Sequence, residues 1–328
     1  MVSTIDIFFF EAFEEEQEAL KSFLPQKVSA GFTWKTPQEL GISEEPPAPI
    51  ISIRTQSELP LAWAGKLKGI ITRSTGYDHI KAYRKKANMP NLPCGYLPLY
   101  CNRSVAEQAL LMWLSLQRNL KLQLTQFSNF HRDGLTGSET YKKTLLVVGV
   151  GNIGSEVVKI GKGLEMNVLC YDINTSKYSE EHYVGLVEGV SQADIIVCAM
   201  NLTPENHGLL NYDLLKKAKR GVILVNVSRG EQSPATDLLR LLEEGHLGGV
   251  GLDVYNNEKE LAVALRKKHF PENPELQSLI NMAGKHNVIF TPHNAFNTHE
   301  AVINKSEQSI QQFVAFKEKG EFIWNVPG

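Results

Sequence analysis

Thr144-Leu145-Leu146-Val147-Val148-Gly149-Val150-Gly151-Asn152-Ile153-Gly154 reads as an apolar strand running into a glycine loop. A helical pattern follows over 153–164, and a second apolar run, 168–171, ends at Asp172, 18 residues beyond Gly154. Alone, a G-x-G-x-x-G is a weak signal, because glycines gather in many loops. Between a strand and a helix, with an acid at this distance, it predicts a βαβ unit that binds a dinucleotide. Each residue has its reason. Gly149 allows the tight turn, Gly151 lets backbone approach a pyrophosphate, and Gly154 lets helix and strand pack closely. Asn152 and Ile153 open the helix, whose unpaired N–H groups would face the phosphates. Asp172 would accept hydrogen bonds from the ribose hydroxyls and repel a 2′-phosphate. No Arg follows it in Ile173-Asn174-Thr175-Ser176, so NAD is favoured over NADP.

Outward from this unit, the chain has 328 residues, enough for about two domains. Hydrophobic residues make up 42% and charged residues 21%, which excludes intrinsic disorder and allows a real core. Lys plus Arg (34) nearly balance Asp plus Glu (36), and the densest basic run is Arg84-Lys85-Lys86. Such a chain is not expected to grip nucleic acid or anionic lipid. No apolar run reaches the ~18–20 residues of a membrane span. The N-terminus lacks the basic region and cleavage site of a signal peptide. Cys94, Cys101, Cys170 and Cys198 form no C-x-x-C pair, so no metal site is expected and a reduced, cytoplasmic protein is.

Strand-like and helical runs alternate along the chain, which predicts α/β layers with mostly parallel sheets. Early strands are expected at 5–10, Ile50–Ile53 and Gly69–Thr72, with a helix over 13–24 stopped by Pro25. The second series adds Thr144–Val148, 168–171, 183–187, 194–199, Val222–Asn226, 249–252 and Val288–Phe290. Ser104 and Glu107 have capping-box spacing ahead of the apolar helix 109–116. A helix apolar on all sides must be covered on all sides, so a homodimer contact through Met112 and Trp113 is expected. A last helix should start at the N-cap Thr298 and end near Gly320.

Open parallel sheets bind ligands beyond the carboxyl ends of their strands. After Val222–Asn226 comes Arg229, after 249–252 come Asp253 and Glu258, and after Val288–Phe290 comes His293. Each has an ordinary explanation: a surface ion pair for Arg229, a helix-opening acid for Glu258, a bystander imidazole for His293. Their joint placement on one rim, beside the glycine loop, is what points to chemistry.

With those motifs in hand, the chain resembles the D-isomer-specific 2-hydroxyacid dehydrogenases over essentially its full length. The resemblance runs through Arg73-Ser74-Thr75-Gly76-Tyr77-Asp78, Ser104-Val105-Ala106-Glu107 and the glycine loop. It continues through Asn226-Val227-Ser228-Arg229-Gly230, Gly251-Leu252-Asp253-Val254-Tyr255 and Thr291-Pro292-His293-Asn294-Ala295-Phe296. It implies two doubly wound parallel-sheet domains. A flavodoxin-like substrate domain would comprise 1–102 and 298–328, and a Rossmann NAD-binding domain 103–297. It also implies reduction of a small 2-keto acid, with pyruvate first in line, to the D-2-hydroxy acid. Arg229 would bind the substrate, His293 act as acid/base, and Glu258 partner the histidine. Thr75 and Gly76 would meet the carboxylate through their backbone, Tyr100 and Phe296 line the pocket, and Asp253 join the cofactor contacts. The same machinery would also serve a larger 2-keto acid or phosphite, and an NAD-sensing corepressor shares these three residues. Three features depart from the pattern: Gln108 where His is usual, Ser233-Pro234 after the arginine, and a long segment of 35 residues from Glu258 to His293.

Overall fold

A computed structural model describes residues 5–42, 44–268 and 272–328, and within it the chain forms two compact units. One holds the chain up to Cys101 together with Asn297–Gly328; the other is the continuous segment Asn102–Phe296.

The first unit is built on strands β1 (Ile7–Phe9), β2 (Ala30–Phe32), β3 (Ile50–Ile53), β4 (Gly69–Thr72) and β5 (Cys94–Gly95). They pair in parallel in the order β2-β1-β3-β4-β5, the 2-1-3-4-5 order of flavodoxin-like sheets. The strands are short apolar runs because both faces are covered: Ile51, Ile53, Ile70 and Ile71 are all buried. The helix Glu14–Phe23 begins with three acids that suit its N-terminal dipole and ends just before Pro25. It packs on the last helix, His299–Lys319. Thr298 caps that helix by accepting from the Ala301 N–H, and Gly320 ends it in a left-handed turn, as its sequence predicts.

A sealed ionic cluster joins these elements. The Glu16 carboxylate accepts from Arg73 Nε at 2.8 Å and from Lys305 Nζ at 3.0 Å. Arg73 also donates to Ser52 Oγ and to the Phe10 carbonyl. All three charged side chains are buried. Burial pushes the Glu16 carboxyl up, but the Arg73 and Lys305 charges outweigh it and hold it at about 2. Burial pushes the Lys305 ammonium down to about 8 despite the pull of Glu16.

The second unit carries β6 (Thr144–Val148), β7 (Asn167–Tyr171), β8 (Ile195–Cys198), β9 (Val222–Asn226), β10 (Leu247–Leu252) and β11 (Val288–Phe290). All pair in parallel, in the order β11-β10-β9-β8-β6-β7. A single parallel bridge from Tyr183 to Cys170 adds a rudimentary seventh position beyond β7, which completes the 3-2-1-4-5-6 order of dinucleotide-binding sheets. The strand expected at 183–187 is therefore reduced to that bridge. Gly185 caps a helix, Leu186–Gln192, that claims the rest of the run.

Two other expectations are corrected here. The helix Asn102–Gln117 starts two residues before Ser104, which lies inside its first turn and not at its cap. Met112 and Trp113 are fully buried within the chain itself, with Gly251 of β10 leaving room for Met112, so neither side chain is available to a subunit interface. The outward side of this helix instead exposes Leu111, and Leu120, Leu124, Phe127 and Phe130 are exposed in the segment that follows.

Candidate active site

In the second sheet, Tyr171, Val148, Cys198, Asn226, Leu252 and Phe290 are paired across neighbouring strands and form one row at the carboxyl edge. Whatever follows these residues emerges on the same rim. That single row accounts for the grouping of Asp172, Gly149, Arg229, Asp253, Glu258 and His293.

The glycine loop has the form its sequence predicts. Gly149 has φ +92 and passes so near Met200 that an added Cβ would lie 2.6 Å from its backbone. A Cβ on Gly154 would lie 1.9 Å from the Gly149 carbonyl, whereas one on Gly151 would meet nothing within 4 Å. The open space at Gly151, in front of the helix Asn152–Gly163, is the cradle a pyrophosphate requires. Asp172 braces the loop: Oδ2 accepts from the Val150 N–H at 2.7 Å and Oδ1 from the Asn174 N–H at 2.8 Å. Acid and glycine loop are thus one rigid unit, and the residues present fit a dinucleotide.

Arg229 stands on a turn organised by Asn226, whose role the sequence did not disclose. The fully buried Asn226 donates to the Arg229 carbonyl and to Ser233 Oγ, both at 2.8 Å, and accepts from the Ser228 N–H. Ser233 bonds back to Asn226, and the cap position of the next helix falls to Pro234, which has no side-chain acceptor. The helix Ala235–Glu243 is capped from elsewhere: Glu275 accepts from the Ala235 N–H at 2.9 Å and from Thr236 Oγ1 at 3.0 Å. Glu275 belongs to the helix Pro274–Ala283, so the long segment between Glu258 and His293 supplies the stop beneath the arginine turn. Gly230 lies flat on the Tyr255–Asn256 backbone, where an added Cβ would come within 2.0 Å, and this brings the arginine turn against the loop that leads to Glu258.

Glu258 opens the helix Glu258–Lys267 and also accepts from His293, with Nδ1 2.8 Å from Oε2 and 3.1 Å from Oε1. The helix-opening and histidine-partner readings of this acid are therefore both true. Nδ1 at that distance from a carboxylate carries a proton, which leaves Nε2 as the outward nitrogen. Both side chains are about 30% exposed, His293 at 30% and Glu258 at 31%.

His293 has φ +51, a left-handed conformation that costs a non-glycine residue roughly 1–2 kcal/mol. Asp253 offsets this strain. Its Oδ1 accepts from Thr291 Oγ1 at 2.5 Å and from the Asn294 N–H at 2.9 Å, and its Oδ2 from the Ala295 N–H at 2.9 Å. Burial pushes the Asp253 carboxyl up, while these donors pull the other way. Asp253, expected among the cofactor contacts, thus has both oxygens committed to the turn that carries His293. Phe296, half-buried, closes the unit.

Thr75, Gly76 and Tyr100 belong to the first unit. Thr75 and Gly76 follow β4, with the Thr75 hydroxyl donating to the Leu97 carbonyl and the Gly76 carbonyl accepting from Ser74. Tyr100 is buried, and that burial raises its hydroxyl well above the usual tyrosine value.

Comparison with known proteins agrees with this geometry. The family model described as D-isomer specific 2-hydroxyacid dehydrogenase, NAD binding domain, matches residues 110–295. The D-lactate dehydrogenase of Escherichia coli (strain K12) is 34% identical over 260 residues, 78% of this chain and 77% of that protein. A D-specific alpha-keto acid dehydrogenase of Enterococcus faecium is 28% identical over 332 residues, 98% of this chain and 99% of that protein. A crystal structure of D-lactate dehydrogenase from Aquifex aeolicus, complexed with NAD and lactic acid, superposes with a TM-score of 0.81 at 29% identity. That superposition covers 98% of this chain and 100% of the other. The chain belongs to the D-isomer specific 2-hydroxyacid dehydrogenase family, and it is an NAD-dependent D-2-hydroxyacid dehydrogenase.

Proposed function

We propose that the chain reduces pyruvate, or a 2-keto acid little larger, to the D-2-hydroxy acid, with His293 as proton donor. The observation that carries this reading is the half-open His293–Glu258 pair, on the same sheet edge as Arg229 and the glycine loop. When bound, NADH supplies the hydride. The planar guanidinium of Arg229 can hold the substrate carboxylate and stabilise the charge that grows on the carbonyl oxygen. His293 delivers the Nε2 proton to that oxygen, and Glu258 balances the imidazolium while fixing the ring. Asp253 holds the histidine's turn without touching substrate. On the same reading the first unit is the substrate domain, with the Thr75 and Gly76 backbone and Tyr100 as its candidate substrate contacts, and Phe296 is a further candidate in the second unit.

The exposed Leu111, Leu120, Leu124, Phe127 and Phe130 make a second copy of the chain the partner proposed for this face, in a cytoplasmic homodimer. Among the described residues no helix is long and apolar enough to cross a membrane.

NADH oxidation against a graded panel of 2-keto acids, with the product's configuration determined, tests the reading. The highest kcat/KM should fall on pyruvate or a short homologue, with D product. Activity confined to long-chain acids, or oxidation of phosphite alone, overturns the substrate assignment. A monomeric mass at micromolar concentration overturns the dimer.

A further inference from the structure

The cations around the dinucleotide-binding helix are neutralised by carboxylates, with one exception. Lys159 pairs with Glu156 at 2.6 Å, Arg103 with Glu107 at 2.7 Å and with Glu156 at 3.5 Å, and Lys162 with Glu181 at 2.6 Å. Lys177 makes no ion pair among the described residues. Its Nζ donates to Asn152 Oδ1 at 2.6 Å, and it lies 5.3 Å over the Tyr178 ring. Asn152 is the first residue of the helix that starts beside the open space at Gly151. A full positive charge is therefore held at the mouth of an anion-binding cradle by a neutral acceptor.

The chain goes out of its way to put it there. Past Asp172, the Asn174 side chain accepts from the Ser176 N–H at 3.1 Å and from Ser176 Oγ at 2.7 Å. This small turn follows directly on the Asp172–Asn174 bond and carries Lys177 to Asn152. Acid, turn and lysine thus form a continuous strap from the end of β7 to the start of the helix.

We propose that Lys177 is a cofactor-binding residue, which exchanges the Asn152 amide oxygen for the pyrophosphate of the bound dinucleotide. A pyrophosphate diester carries two negative charges. The helix N-terminus offers the equivalent of about half a positive charge, so backbone alone leaves most of that charge unbalanced. Exchanging a neutral acceptor for an ionised one roughly doubles the strength of the hydrogen bond. The ammonium stays at the surface throughout, so the exchange carries little desolvation cost.

This inference rests on the glycine-loop reading of the cofactor site, and the test separates the two. ADP-ribose, adenosine, NADH and NADPH are titrated calorimetrically, or by ligand-observed NMR for the weakest, against the full chain and its K177M, K177R and K159M variants. K177M should weaken ADP-ribose and NADH by about threefold to tenfold, leave adenosine unchanged and reduce the salt dependence of ADP-ribose binding. K177R should restore most of the loss, and K159M, whose cation is already paired, should behave as wild type. If wild type binds ADP-ribose and K177M binds it equally well, the lysine is not a ligand and the proposal fails alone. An equal loss for adenosine would place the residue at the adenine side, and a loss confined to NADPH would place it at a 2′-phosphate. Either result overturns the pyrophosphate assignment. If wild type does not bind ADP-ribose at all, the glycine-loop reading falls and takes the proposal with it.

Discussion

Each unit holds an acid beside a base, and the two pairs are built to opposite ends. In the first unit Glu16, Arg73 and Lys305 are sealed from solvent, with every cation fixed by a partner. In the second, Glu258 and His293 make one short contact and remain about 30% exposed. The buried Glu16 carboxylate resists protonation because two cations hold it, which suits a joint and is useless for proton transfer. A group that must give up a proton in every turnover needs a path to substrate or water, and it cannot be held by more than one side. Local geometry separates the anchor from the pair proposed for proton transfer.

That contrast breaks if the two clusters respond alike to mutation. His293→Ala should lower keto-acid reduction by roughly two to four orders of magnitude while leaving the melting temperature and NADH affinity close to wild type, as steady-state kinetics and calorimetry will show. Near-wild-type turnover would remove His293 from the chemistry. Arg73→Met should do the reverse. It strands Glu16 with only Lys305, and breaking one partner of a buried ion pair costs about 3–5 kcal/mol, readable as a shifted denaturation midpoint. Any protein that remains folded should keep most of its kcat.

Glu258→Gln should fall between these extremes, with about a tenfold loss in kcat, taking the lower end of what acid–base positioning contributes. An unchanged kcat in steady-state kinetics would mean that Glu258 only opens its helix. The last test is the pH response of the sealed cluster. Glu16 is held at about 2 against an ordinary 4.5. Its contribution to stability is therefore complete above 4.5, drains as the unfolded chain takes up protons below it, and is gone once pH has passed about 2. The slope on its account is about 1.4 kcal/mol per pH unit, measurable by hydrogen exchange in β1, β3 and β4.

Much of this was legible in the sequence because it depends on strand ends. Parallel pairing puts the residues after Asn226, Leu252 and Phe290 on one rim whatever the side chains between them do, so Arg229, Glu258 and His293 could be found by counting. What stayed hidden depends on contacts between distant segments. Nothing near Ser233 says that Asn226 will occupy its hydroxyl, or that Glu275 will cap the helix in its place. The apolar run around Met112 gave the right composition and the wrong partner, because two glycines in β10, far along the chain, create the space it fills. Arg73 stood inside a quoted motif, yet its task needs Glu16 and Lys305, which no local pattern links.

The second unit is one unbroken stretch, while the first begins the chain and is completed by Asn297–Gly328. On the ribosome, Glu16 and Arg73 emerge early and Lys305 only after the whole of the other unit has been made. At roughly 5–20 residues per second, the nascent amino-terminal half waits about 10–40 s for the helix that carries its second cation. During that interval its apolar strands lack part of their cover, and the carboxylate lacks one of its two partners. The order of assembly is thus written into the chain's path: the nucleotide-binding unit is one unbroken stretch, and the other unit waits for a helix made only after that stretch is complete.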